Sequence, residues 1–127
     1  VIAPCAGEVL SAESKRPNRR PLHPDGSDTA GGNHVVLYCQ GHSVHLAHMA
    51  PGTVGVAVGE HVAVGQLLGN VGTSGNSMEP HLHISAVEGR HTNFRRDAGL
   101  PGGVRATPLL IDGRFLIKGD HVRGARP

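Results

Sequence analysis

The chain has 127 residues and a mass of 13.2 kDa, the size of a single domain with a core of its own. A net charge of +2 is not the footprint of a dedicated nucleic-acid binder, and no run of about 18 apolar residues is present to cross a membrane as a helix. Two cysteines are too few for a disulfide scaffold. Tyr38, Phe94 and Phe115 are the only aromatics, so the core must be built from Val, Leu, Ile and Ala around many tight turns. The chain opens at Val1 with no signal-like segment, which fits a mature or trimmed piece of a protein.

In chain order, residues 1–12 read as an extended segment with a bend at Pro4 and Gly7 before a strand. Residues 13–33 read as a polar insertion, with Lys15, Arg16, Arg19 and Arg20 near its start and Pro and Gly throughout. Strand signals resume at His34–Cys39 and Ser43–Met49, joined by Gln40-Gly41-His42 as a short hairpin. Short apolar runs follow at Val54–Val58, Val62–Val64 and Leu67–Val71, each closed by a glycine turn. Thr73–Pro80 is a Gly/Asn/Ser loop leading into a strand at His81–Val87. Beyond it, Leu109–Ile117 carries Asp112-Gly113 between two apolar flanks, a hairpin signal. The pattern predicts an all-β fold, a small antiparallel barrel or sandwich with few or no helices. It is one domain over 1–127, with a core over 1–93, the insertion at 13–33, and a C-terminal hairpin and tail over 94–127.

Pairing Gly7–Ser11 antiparallel with His34–Tyr38, residue i against 44 − i, sets Val9 opposite Val35. The same register sets Cys5 opposite Cys39, close enough to bridge. A disulfide is therefore expected, with two neighbouring buried thiols as the alternative.

The ten histidines are the unusual feature of the composition. Histidine is both the commonest metal ligand and the usual proton carrier near neutral pH. In a strand, His81 and His83 point to the same face about 6.6 Å apart, with Leu82 turned to the core. Alternation over Ser43–Met49 groups Val44, Leu46 and His48 on one face and Ser43, His45 and Ala47 on the other. If His48 enters a site with His81 and His83, His45 does not. His34, His42, His61, His91 and His121 fall at turns or strand ends and read as solvated.

These residues sit within a longer ordered pattern. It comprises Ala3-Pro4 with Gly7 and Val9, Gly32-Asn33-His34-Val35-Val36, and Leu46-Ala47-His48. It continues with Val58-Gly59-Glu60-His61-Val62, Gly65-Gln66-Leu67-Leu68-Gly69 and Val71-Gly72-Thr73-Ser74-Gly75-Asn76, and closes on Pro80-His81-Leu82-His83. Over residues 1–87 the chain resembles the lysostaphin-type zinc endopeptidases. The resemblance implies a metallopeptidase acting on peptide bridges of bacterial peptidoglycan, outside the cytoplasm, in the periplasm or beyond the cell. It implies His83 as a zinc ligand, with His81 and His48 as the two catalytic histidines beside the metal-bound water and the oxyanion. A substrate groove is expected on the sheet, walled by the 13–33 insertion and the 72–80 loop.

The chain departs from the family in places. The family's other two ligands, a His and an Asp, lie upstream of the Ala-Pro-x-x-Gly strand, and the sequence opens inside that strand. His23, Asp25 and Asp28 in the insertion are weighed as substitutes against a plain turn. Leu46 replaces a common Tyr, and Glu79 a common Gly. Two other functions stay open: a non-catalytic relative that binds cell-wall polymer or peptide or regulates a hydrolase, and a biotinyl or lipoyl carrier. The carrier needs a lysine at a hairpin tip, and Lys15 and Lys118 lie elsewhere.

Overall fold

The computed structural model describes residues 1–18, 31–92 and 105–111. Among these residues there is no helix, and six strands form one antiparallel sheet. They are β1 (Gly7–Glu13), β2 (Asn33–Cys39), β3 (His42–Met49), β4 (His61–Val62), β5 (His83–Glu88) and β6 (Ala106–Thr107), in the spatial order β4-β1-β2-β3-β5-β6. Among the described residues the sheet is open, ending on the two short strands β4 and β6, and does not close into a barrel, one of the two forms expected.

The β2–β3 hairpin is the most regular element. Cys39 pairs with His42 across Gln40-Gly41, and both turn residues have positive φ, 50° and 83°. That is the two-residue turn whose twist matches paired strands. The alternation of β1, β2 and β3 puts Val9, Val35, Leu37, Val44 and Leu46 on one face, where they form the core with Ala86. The 50–72 segment folds back over this face and adds Val56, Val62 and Leu68, with Ala3 and Met49. The expected strand at Val54–Val58 does not form, because its backbone bonds go to the turns that cap the core, such as Gly55 N–H to Leu68 O at 3.0 Å. The Val62–Val64 run reduces to two residues of β4, and Leu67 and Val71 make isolated bridges to Ile2 and Met49.

Two registers depart from simple alternation. Val9 pairs with Leu37, not Val35, and two residues later Ser11 pairs with Val36, only one residue along β2, so Leu10 is an extra residue in β1. A shift by an even number keeps Val9 on the core face. Cys5 and Cys39 are bridged, with their Cα atoms 6.2 Å apart, although the register expected to bring them together is not the one formed. Cys5 lies ahead of β1 and reaches the end of β2 from there. In the second irregularity Met49 pairs with Asn33 and Ala47 with His34, which leaves His48 as the extra residue of β3. The Asp112-Gly113 hairpin, His121 and the residues His23, Asp25 and Asp28 lie outside the described residues.

Candidate active site

The bulge in β3 decides where His48 goes. Its φ is +64°, a left-handed conformation that costs a side-chain-bearing residue about 1–2 kcal/mol. The strand resumes with Met49 fully buried in the core, the place strict alternation had assigned to His48. His48 is turned toward β5 instead. Its ring centroid is 4.7 Å from that of His81 and 5.8 Å from that of His83. The three imidazoles singled out in the sequence therefore gather at one end of the sheet.

His83 opens β5, opposite Ala47. His81 stands just before the strand, in an isolated bridge to Gly72, and Leu82 between them packs against the core. Gly72 also donates its N–H to His48 O at 2.9 Å, so one backbone strip ties the two histidines together. A Cβ at Gly72 would fall 2.6 Å from the backbone of Ala50, so the strip can lie this close only as glycine.

The ring nitrogens are held by carbonyls. His48 Nδ1 lies 2.8 Å from Ser74 O, and His81 Nδ1 lies 2.8 Å from Glu79 O. A carbonyl only accepts, so each Nδ1 carries the proton and each Nε2 keeps its lone pair when the ring is neutral. Burial pushes the His48 pKa down, more than its bond to Ser74 pushes it up, and the neighbouring charges of His81 and His83 lower it further. His48 is thus a neutral base at neutral pH.

The polar face holds more histidine than expected. His34 donates Nδ1–H to Gly32 O at 2.8 Å, and its Nε2 accepts from Ser11 Oγ at 2.9 Å, so it is not a solvated strand-end residue. His45, opposite Ser85 on β5, is fully buried. Desolvation, then the charges of His34, His91 and His83, pushes its pKa to about 4. Strict alternation groups His48 with Val44 and Leu46; the bulge breaks that grouping, and Met49 joins Leu46 in the core in place of His48. Two buried residues were not assigned to the site's surroundings: Asn33, read as the end of the insertion and part of the resemblance, and Ser74, read as loop and part of the resemblance.

Among the described residues no group of three or more His, Cys, Asp or Glu is arranged to hold a metal ion. A catalytic zinc takes three protein ligands and a water, so the described residues do not by themselves fit a resident zinc. What they do offer is a buried neutral base and a second, exposed imidazole within ring contact, which together can accept and return a proton.

Residues 1–94 match the model of peptidase family M23. The chain belongs to this family. The catalytic domain of the antimicrobial peptidase lysostaphin from Staphylococcus simulans superposes with a TM-score of 0.56 at 26% identity. The match covers 72% of this chain and 60% of that one, so the M23 chain spans about three-fifths of that catalytic domain. The catalytic domain of the prophage-encoded M23 protein EnpA from Enterococcus faecalis, in a mutant form, shares the fold at 24% identity with a TM-score of 0.53. That match covers 73% of this chain and 65% of that one. No curated protein sequence matches the M23 chain.

Proposed function

We propose that the protein is a zinc-dependent endopeptidase that hydrolyses peptide bonds of bacterial peptidoglycan. The observation that carries this reading is the convergence of His48, His81 and His83 within the segment that matches family M23. In the proposal the neutral imidazole of His48 takes a proton from the attacking water at its bare Nε2. The resulting imidazolium passes it to the leaving amine, and His81, whose Nε2 donates only when that ring carries a second proton, stabilises the carbonyl oxygen as it becomes anionic. His83 is the metal-binding residue; in the family the chain resembles, the other two ligands precede the Ala-Pro-x-x-Gly strand. The Cys5–Cys39 bridge supports a site of action outside the reducing cytoplasm.

The lack of a three-ligand group among the described residues favours one second reading, a non-catalytic relative that binds the same polymer. The two separate in one experiment. The full chain as encoded is incubated with purified peptidoglycan, with and without a chelator, while release of new amino groups and bound zinc are measured. The peptidase reading expects chelator-sensitive release, lost in His81→Ala with zinc retained, and lost in His83→Ala together with zinc. Polymer binding with no amine released would leave the binding module. Full activity in His81→Ala would remove the assigned role.

A further inference from the structure

His48 is held in an unfavourable backbone conformation, and two fully buried polar side chains surround its anchor. Asn33 donates its backbone N–H to Ser74 Oγ at 2.9 Å. The Asn33 amide donates to Arg16 O at 2.7 Å and to Met49 O at 3.1 Å, and its Oδ1 accepts from Arg16 N–H at 2.8 Å. Ser74 Oγ–H donates to the same Met49 O at 2.7 Å. The carbonyl immediately after the bulge thus receives two buried hydrogen bonds, and the residue giving one of them presents its own carbonyl to His48 Nδ1. Gly32 presses against this strip, where a Cβ would overlap the backbone of Ser74, so Ser74 has no room to drift toward β2.

We infer that Asn33 and Ser74 are positioning residues that fix the tautomer of His48. The inference rests on His48 being the proton-accepting residue of the proposed peptidase. In water a neutral histidine favours the proton on Nε2, the form with no lone pair at the nitrogen facing the substrate. The Ser74 carbonyl reverses that preference, and it does so only while Asn33 and the Ser74 hydroxyl hold it in place. A satisfied polar network buried from water holds its geometry tightly, because each broken bond leaves an unpaired group. Deleting the outer partner of a metal-bound histidine typically costs about 10–100-fold, and a loss of the same order is expected here.

The test is ring nitrogen NMR on the ¹⁵N-labelled full chain at a pH where His48 is neutral, alongside kcat and KM on a peptidoglycan peptide. The wild type is expected to show the proton on Nδ1. Ser74→Ala is expected to mix in the Nε2–H form and to lower kcat about 10–100-fold with KM changed less than about twofold, and Ser74→Thr to restore both. If Ser74→Ala does not fold, Asn33→Ala removes the other donor on Met49 O and carries the same expectation. A wild-type His48 protonated on Nε2 overturns the inference. So does an unchanged Nδ1–H form in the folded variant, whatever kcat does. A wild type that cleaves nothing while His48 shows the clamped tautomer sinks the peptidase reading and leaves the clamp standing.

Discussion

At the scale of single residues, His48 carries two properties that substitution can separate. Its imidazole serves the proposed chemistry, and its φ of +64° is a backbone demand any replacement must meet. Asparagine enters the left-handed region readily, whereas a β-branched residue there is a true outlier. His48→Asn and His48→Val are both expected to abolish peptide hydrolysis, but thermal unfolding should place the Val variant below the Asn variant by about 1–2 kcal/mol. Equal stability would mean the bulge does not persist in solution. His45 makes a different prediction. Its pKa falls from 6.5 in the unfolded chain to about 4 in the folded one, chiefly through burial. Above pH 6.5 the ring is neutral in both states. Below it the unfolded chain takes up a proton that the folded chain refuses, so stability is lost as pH falls toward 4, by on the order of 3 kcal/mol. Denaturation curves of wild type and His45→Gln should diverge over that window, with the variant flatter, and parallel curves would refute the shift.

At the scale of elements, the sheet obeyed the sequence where alternation was uninterrupted and departed where one residue was added. β2 and β3 fall within a residue of the runs expected, and Gln40-Gly41 is the turn between them. Here Gln40 occupies a left-handed position at φ 50° with no steric exemption. Gln40→Asn should raise stability by roughly 0.5–1 kcal/mol in urea titrations, because Asn is the residue this turn type favours at its first central place. A destabilised variant would argue against the turn. The two bulges are what periodicity could not foresee. An extra residue leaves no mark in a two-residue pattern, so alternation grouped His48 with Val44 and Leu46, and the bulge at Leu10 adds one residue to a β1–β2 register that already stands two residues from the expected one. The histidine site was nevertheless legible, because His-Leu-His spacing and the ordered glycine pattern do not depend on pairing. The anchors of that site were hidden for the opposite reason. Asn33 and Ser74 are 41 residues apart and meet only through the fold. The runs at Val54–Val58 and Leu67–Val71 misled because a short apolar run looks the same whether it pairs in a sheet or caps one.

For the molecule as a whole, stability and chemistry occupy opposite ends of one sheet. The Cys5–Cys39 bridge lies at the end of β2 beside the Gln40-Gly41 turn, while His48 stands at the far end of β3, about 20 Å along the strand. The bridge joins residues 34 apart in sequence. Closing a loop of that length in the unfolded chain gives about 3–4 kcal/mol by the chain-entropy account. The core it supports has few aromatics and many glycines, so that contribution is a large share of what a domain of this size retains. Glu8 and Arg90 add a paired contact nearby, at 2.6 and 3.1 Å, but it is solvent-exposed and worth little. Replacing both cysteines by serine should therefore lower the unfolding free energy by about 3–4 kcal/mol and leave the geometry around His48 as it was. The check pairs denaturant unfolding with the ring nitrogen spectrum of His48 and with kcat at room temperature. A large loss of stability with spectrum and turnover unchanged is the expected result. Loss of the His48 tautomer in a variant that is still folded would show that the two ends are coupled through β2 and β3, and that the site depends on the bridge for its shape.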